Sequence, residues 1–441
     1  MEKYDVIVIG SGTAGYTVAK KCRESGLTVA VVEKDVLGGT CALHGCQPKK
    51  FFVVQAEMLR LAEHLQGKGV VTSPQLDWGR IEAFKREFTA AVPGGTEAFM
   101  AKIGATVHRG TARFAGPGRV VVGTVDLQAD AVVLATGATP RIPAIPGIEL
   151  ALTSDDFLDQ KQLPASVLFI GGGYISFEFA HVAAALGAKA TILNKSSRVL
   201  KQFDAELVDA AVEASRDAGI AVCVEQDPVE LTRTADGVRV RCASGEEFAA
   251  AAVYLGAGRV PNLGELNLEV LGVDADPRGL AVDSAMRVAG QAGLYAVGDC
   301  ARTPALAPVA DREALVAAAR IAGEPLTMDY RTVPSVCFTQ PALGAVGLTE
   351  TEAQARGMAF TVRRGDTARW ANLRRLGAKH GKYKLLVDPE GQILGAHLLG
   401  HEAGDIINLF ALAMKGGLPA SIFKEMMWAY PTLTSDTKYM V

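Results

Sequence analysis

One glycine signature occurs twice in this chain. Residues 5–33 run Asp-Val-Ile-Val-Ile-Gly-Ser-Gly-Thr-Ala-Gly, then an apolar helical pattern, then Leu27-Thr28-Val29-Ala30-Val31-Val32-Glu33. Residues 166–194 run Ser-Val-Leu-Phe-Ile-Gly-Gly-Gly-Tyr-Ile-Ser, then a second helical pattern, then Ala188-Lys189-Ala190-Thr191-Ile192-Leu193-Asn194. Each reads strand, glycine turn, helix, strand. One Gly-x-Gly-x-x-Gly is weak evidence. Two copies, each following an apolar strand and opening a helix, commit the chain to parallel α/β layers that seat dinucleotides. Gly10, Gly12 and Gly15 make the first turn. Gly171 and Gly173 make the second, with Ser176 in place of the third glycine and Tyr174 and Ile175 opening the helix. The helix N-terminus then presents unpaired N–H groups and a partial positive charge to a pyrophosphate.

The copies differ at the end of their second strand. Glu33 lies 23 residues after Gly10, where a carboxylate accepts hydrogen bonds from ribose hydroxyls. The residue 23 after Gly171 is Asn194, and Lys195, Arg198 and Lys201 follow it. A 2′-phosphate is repelled by a carboxylate and attracted by these cations. The first copy therefore suits an adenosine without that phosphate, and the second suits one that carries it.

Between the copies lies Gly38-Gly39-Thr40-Cys41-Ala42-Leu43-His44-Gly45-Cys46-Gln47-Pro48-Lys49-Lys50. A thiol pair five positions apart opens and closes as a disulfide without unfolding anything. The other cysteines, Cys22, Cys223, Cys242, Cys300 and Cys337, are scattered. This is the usage of a reducing compartment, where a close pair is catalytic rather than structural. Further along, Val132-Val133-Leu134-Ala135-Thr136-Gly137 is an apolar strand followed by Pro140, Pro143 and Pro146, and Leu294-Tyr295-Ala296-Val297-Gly298-Asp299 is a second strand-to-turn motif.

Together these segments resemble the pyridine nucleotide–disulfide oxidoreductases, the flavoenzyme family of glutathione reductase, dihydrolipoamide dehydrogenase and mercuric reductase. The resemblance covers nearly the whole chain. It implies an α/β fold of two Rossmann-like dinucleotide-binding domains, for FAD and NAD(P)H, plus an α+β C-terminal dimerisation domain. The FAD domain would be split, 1–147 and 268–328, around an NADPH domain at 148–267. Residues 330–441 would build a homodimer in which each active site borrows residues from the partner subunit.

The resemblance also implies roles. Cys46 is the flavin-side thiol and Cys41 the outer, interchange thiol that attacks substrate. Gly39, Thr40, Thr136, Gly137, Gly258 and Arg259 are further cofactor contacts, and Asp299 bonds the ribityl chain. Lys49 or Lys50 lies near the flavin ring with Glu178 as its partner. Tyr174 covers the nicotinamide pocket and swings away when NADPH binds. The implied activity is electron transfer from NADPH through FAD to the Cys41–Cys46 disulfide, and on to a small disulfide substrate. Dihydrolipoamide dehydrogenase, a metal-ion or quinone reductase, and a low-turnover redox-sensing flavoprotein are the competing readings.

The chain departs from the family near its C-terminus. The usual His-Pro-Thr-x-Ser-Glu segment supplies a histidine, oriented by glutamate, that protonates the leaving thiol. Here the segment is Tyr430-Pro431-Thr432-Leu433-Thr434-Ser435. Tyrosine ordinarily titrates near 10, against about 6.5 for histidine. It donates a proton but is poorly placed to cycle one at neutral pH. Three explanations stay open: Tyr430 acts as a weak acid, His44 replaces the lost histidine, or the substrate is not an ordinary disulfide. His397 and His401 lack ligand spacing and read as structural, and no metal site is apparent. A C-terminal cysteine pair and an N-terminal cysteine-rich domain are missing, which disfavours mercuric reductase and the large thioredoxin reductases.

A net charge of −3 and a pI near 6.2 argue against nucleic acid as a partner. No apolar run is long enough to span a membrane and no signal peptide or lipidation motif is recognisable, so a cytoplasmic location is expected.

Overall fold

The computed structural model describes all 441 residues. They form two compact units. The first comprises 1–51, 83–141 and 259–329; the second comprises 52–82, 142–258 and 330–441.

The first unit is built on a seven-stranded sheet. Its parallel part takes the order Thr106–Arg109, Val29–Glu33, Glu2–Ile9, Val125–Leu134 and Leu294–Ala296. Two shorter strands, Arg119–Val122 and Ala112–Gly116, continue it as an antiparallel meander from the first half of Val125–Leu134. Side chains alternate across a strand, and both faces are covered. Val6, Val8, Val29, Val31 and Val133 pack on one side with Val18, Ala19 and Cys22 of the helix Thr13–Glu24 and with Ala314 and Ala317 of the helix Ala307–Ile321. Ile7, Ile9, Ala30, Val32, Val132 and Leu134 pack on the other with Phe114, Val120 and Leu294. The unbroken apolar runs 6–9, 29–32 and 131–134 are what burial on both faces requires.

The second unit repeats this plan in a smaller sheet and adds two more. A four-stranded parallel sheet runs Ala221–Val224, Lys189–Asn194, Ser166–Ile170 and Ala252–Leu255. A three-stranded meander, Pro228–Thr234, Gly237–Cys242 and Glu247–Ala250, accompanies it. Residues 330–441 contribute a five-stranded antiparallel sheet in the order Ser335–Cys337, Ala342–Gly347, Ile393–Gly400, Lys382–Val387 and Thr361–Asp366. The helix Ala403–Gly416 lies on it through Ile406, Ile407 and Phe410, which join Val346, Leu385 and Leu398 in one core. No helix is long and apolar enough to cross a membrane.

Candidate active site and dinucleotide seats

Both glycine turns have the expected geometry. Gly10 and Gly171 sit at φ +107° and +110°, a left-handed region where a side chain is strained. A Cβ on Gly10 would lie 2.3 Å from the Ala135 carbonyl oxygen, and one on Gly171 would lie 2.4 Å from that of Gly256. The helices that follow, Thr13–Glu24 and Tyr174–Ala185, start at Gly12 and Gly173 with no side-chain cap and no acid in the first turn. Other helices of the chain are finished differently. Thr153 and Thr349 cap Ser154–Asp159 and Glu350–Ala355 with complete capping boxes, and Asp204 caps Ala205–Asp217. Each of those carries acid in its first turn. A bare N-terminus with a positive dipole end fits an external anion such as a pyrophosphate; both crossover helices combine it with a glycine turn, as does the five-residue helix Gly39–Leu43 behind Gly38.

The strand-end residues hold their turns in parallel ways. Glu33 Oε2 accepts from the Ser11 backbone N–H at 2.9 Å and its hydroxyl at 2.7 Å, while Oε1 accepts from the Asp35 N–H at 2.9 Å. Asn194 Oδ1 accepts from the Gly172 N–H at 3.0 Å. The amide does something the carboxylate cannot. Its Nδ2 donates to the Ser196 carbonyl at 2.6 Å and the Arg198 carbonyl at 3.1 Å, folding the cation-bearing loop onto the strand end. Lys195 is exposed and pairs with Asp227 at 2.8 Å, so a phosphate would have to draw it from that carboxylate. Arg198 and Lys201 are exposed.

The cysteine segment is set against the first turn. Gly39, at φ +70°, packs on Gly12 so closely that a Cβ would lie 2.4 Å from the Gly12 Cα. The Ser11 hydroxyl, which donates to Glu33, also accepts from the Gly38 N–H at 3.2 Å. Ser11 thus ties strand end, glycine turn and cysteine segment together. Sequence reasoning passed over it, because the middle residue of Gly-x-Gly carries no required identity. A short helix Gly39–Leu43 bears Thr40 and Cys41, the chain breaks at His44-Gly45, and a long helix starts at Cys46.

All seven cysteines are reduced, and the thiols of Cys41 and Cys46 are hydrogen-bonded to each other. That bond, with burial, pushes the Cys41 thiol well above its ordinary range; Thr13 and the Lys49 ammonium act in the opposite direction. Lys49 therefore acts electrostatically on Cys41. Only thiolate attacks, so Cys41 needs help in losing its proton. His44 is half-buried beside it in sequence, with Nδ1 buried and unbonded.

The remaining positions are placed as follows. Thr136 and Gly137 lie just past the strand Val125–Leu134, with Gly137 at φ +65°. Asn262 donates to the Thr136 carbonyl at 3.0 Å. Asp299 lies in the turn after Leu294–Ala296, its carboxyl pushed up by burial against the pull of Arg259. Arg259 also donates to the Ala138 carbonyl. Glu313, buried and unremarked in the sequence reading, accepts from the Gly298 N–H at 2.6 Å and fixes that turn. In the second unit Glu178 is fully buried and accepts from the Phe338 N–H at 2.9 Å. Tyr174, at the first turn of its helix, is 37% exposed, and Gly258 adopts φ +98°. His397 is buried and bonded to the Leu348 carbonyl, and His401 pairs with Glu57 at 3.2 Å.

The C-terminal segment does not rebuild the missing dyad within one chain. Tyr430 is 70% exposed, with the Lys438 ammonium 5.8 Å from its ring centroid. Ser435, in the glutamate position, is fully buried and donates to the Thr432 carbonyl at 2.6 Å. Asp436 accepts from Asn372 at 2.8 Å. These contacts close a turn; the next carboxylate in the segment is turned to Asn372.

Two dinucleotide seats, with a dithiol packed on one of them, define a nucleotide-dependent redox protein that works through thiols. The chain belongs to the pyridine nucleotide-disulphide oxidoreductases: that family's model matches residues 4–314, and the model of the family's dimerisation domain matches 333–441. It is 32% identical to a dihydrolipoyl dehydrogenase of Halobacterium salinarum over 98% of this chain and 94% of that protein. It is also 32% identical to a glutathione reductase of Burkholderia cepacia, over 99% and 98%. Among solved structures it is similar to the HOCl-induced flavoprotein disulfide reductase RclA from Escherichia coli, with a TM-score of 0.89, 26% identity and 99% of both chains covered. A Cu(II) complex of the same protein matches with a TM-score of 0.90 and 27% identity over 100% and 99%. The chain is thus a flavoprotein disulfide oxidoreductase of the FAD-dependent kind that uses a pyridine nucleotide, and its C-terminal domain supports a homodimer.

Proposed function

We propose that the enzyme passes electrons from NADPH, bound at the second crossover, through FAD at the first crossover to the Cys41–Cys46 pair, and from there to a small disulfide. The observation that carries this reading is the pairing of two bare, glycine-turned helix N-termini with different strand ends, Glu33 in one and Asn194 in the other. We read residues 1–147 and 268–328 as the FAD domain, 148–267 as the NADPH domain and 330–441 as the interface domain. The scattered cysteines favour a cytoplasmic setting.

Bound flavin would accept a hydride from the nicotinamide and hand two electrons to the cysteine disulfide. The chain's own residues do the rest. Cys41, as thiolate, attacks one sulfur of the substrate disulfide. A mixed disulfide forms and one thiolate leaves, taking a proton. Cys46 then attacks the Cys41 sulfur, closing the internal disulfide and releasing the second thiolate. Lys49 holds a positive charge near the pair. The proton for the leaving thiolate comes from Tyr430 of the partner subunit or from His44. Tyr430 has the exposure a cross-subunit donor requires, and His44 has an uncommitted buried nitrogen.

A second reading has its own support. The solved Cu(II) complex of a similar flavoprotein makes a metal ion a candidate acceptor, and the absent histidine favours an acceptor that needs no proton. Rapid mixing separates the two. Flavin reduction by NADPH is followed first, then reoxidation by glutathione disulfide, lipoamide, a quinone and Cu(II). A disulfide as the fastest acceptor is the expected result. Reoxidation by metal or quinone alone would replace the substrate class. The reduced wild type should also show a long-wavelength band that Cys46→Ser lacks; survival of that band would overturn the assignment of Cys46.

A further inference from the structure

A buried ion cluster lies at the far end of the cation-bearing loop. Lys384, in the strand Lys382–Val387, is only 5% exposed in its side chain. Its ammonium stands 3.1 Å from Asp204 Oδ1, 3.2 Å from Glu206 Oε2 and 2.6 Å from Glu350 Oε2. Arg364 reaches Glu206 from the surface at 3.1 Å. The carboxylates hold the Lys384 ammonium above its ordinary range against the cost of burial, so it stays charged. Replacing such a cluster by packed apolar side chains is often neutral or stabilising. Its presence is better explained by what it positions.

Asp204 is the end of the loop that begins at Asn194. It caps the helix Ala205–Asp217, accepting from the Glu206 N–H at 3.1 Å. Between the two ends the loop alternates its burial. Val199, Leu200 and Phe203 are buried, whereas Lys195, Arg198 and Lys201 face out. Leu200 adopts φ +45°, a strained conformation for a side-chain-bearing residue, and its N–H donates to the Gly172 carbonyl at 2.9 Å. The loop is thus pinned to the glycine turn at one end, by Asn194 and Leu200, and to a lysine of the C-terminal sheet at the other.

We propose that Lys384 is a positioning residue for pyridine nucleotide specificity: through Asp204 it holds Lys195, Arg198 and Lys201 where a 2′-phosphate binds. This rests on the reading of the second crossover as the NADPH seat. It goes beyond that reading because Lys384 lies about 180 residues from the loop in sequence and outside the match to the dinucleotide-binding family model. Lys384 donates to Asp204, not to the ligand. Its loss loosens the stretch of loop that carries Lys195, Arg198 and Lys201, the cations that on this reading meet the phosphate distinguishing NADPH from NADH, while Asn194 and Leu200 still hold the glycine turn.

The test uses the flavin-loaded full-length enzyme with NADPH and NADH in parallel. Lys384→Met should lower kcat/KM for NADPH roughly 3- to 30-fold, mainly through KM, with NADH and the acceptor KM little changed. Lys384→Arg should restore most of the preference. Should Lys384→Met not fold, Asp204→Asn keeps a good helix cap while removing the charge, and the same loss of preference is expected. Flavin content and thermal melting are recorded for each. A lower melting temperature with an unchanged NADPH:NADH ratio in both variants makes the cluster purely structural and overturns the proposal. A wild type that uses both nucleotides equally, and is indifferent to Lys195→Ala, overturns the reading beneath it together with the proposal. That failure is recognisable before any Lys384 variant is made.

Discussion

The two crossovers share a backbone plan and differ in one strand-end side chain. Glu33 and Asn194 each accept a hydrogen bond from the residue 22 positions earlier, Ser11 and Gly172 respectively. A carboxylate can only accept. Glu33 therefore places only acceptors at the edge of its seat and binds the following chain through one contact, the Asp35 N–H. Asn194 removes the charge and, with its two amide hydrogens, gathers Ser196 and Arg198 around it. If the second seat takes NADPH as proposed, the difference teaches that a change of nucleotide preference is more than the deletion of a repulsion. Asn194 also shapes the loop whose cations, on the proposed reading, meet the 2′-phosphate.

Breaking each crossover at the same point should give the largest and most separable effects. A methyl at Gly10 or Gly171 meets a carbonyl oxygen at 2.3 or 2.4 Å from a backbone that disfavours it. Each Gly→Ala change should cost roughly 3 kcal/mol or more locally. Gly10→Ala should purify without flavin. Gly171→Ala should keep its flavin, yet resist reduction by NADPH. Equal flavin loss in both would show that the seats are not independent, and flavin spectra after gel filtration decide it.

The next effect sharpens a contrast between the nucleotide side, which is complete, and the acceptor side, which lacks its usual acid. Positioned acid–base help is worth roughly 10²–10⁴-fold. Tyr430→His should speed reoxidation by glutathione disulfide toward the lower part of that range and leave flavin reduction unchanged. If reoxidation is already as fast as reduction, Tyr430 or His44 suffices, and His44→Ala identifies which.

Smaller still is the effect of Lys195→Ala. The ammonium is 76% exposed and already paired with Asp227, so its loss should weaken NADPH roughly 3- to 10-fold, below the value of a buried charge-assisted bond. Asp227→Asn should move the other way, releasing Lys195 to the phosphate. A decrease there would mean that the ion pair places the lysine rather than competing for it.

The sequence made the seats readable because each depends on a local pattern: an apolar strand, a glycine turn and a helix in one stretch of chain. The cysteine segment was readable for the same reason. Ser11, Glu313 and Lys384 were not. Ser11 acts through a hydroxyl that reaches Glu33 and Gly38, and Glu313 through a carboxylate that reaches back to Gly298. Lys384 meets a residue 180 positions away. The second lysine of a strand that reads Lys-Tyr-Lys-Leu-Leu-Val carries no sign of its partners until the strand is placed. Ser435 marks the converse case. Its position suggests the partner of a catalytic acid, whereas its hydroxyl is spent on the Thr432 carbonyl.

The central claim is that Asn194 makes the second crossover an NADPH seat. The direct measurement is the ratio of kcat/KM for NADPH to that for NADH in wild type and in Asn194→Glu. Charge-assisted bonds of about 1.5–3 kcal/mol correspond to a wild-type preference for NADPH of roughly 10- to 150-fold. Glutamate keeps the acceptor for Gly172, discards both donors and restores the repulsion, so the ratio should fall to about 1 or below while flavin content stays the same. A wild type with no preference, or an Asn194→Glu variant that keeps it, would contradict the account.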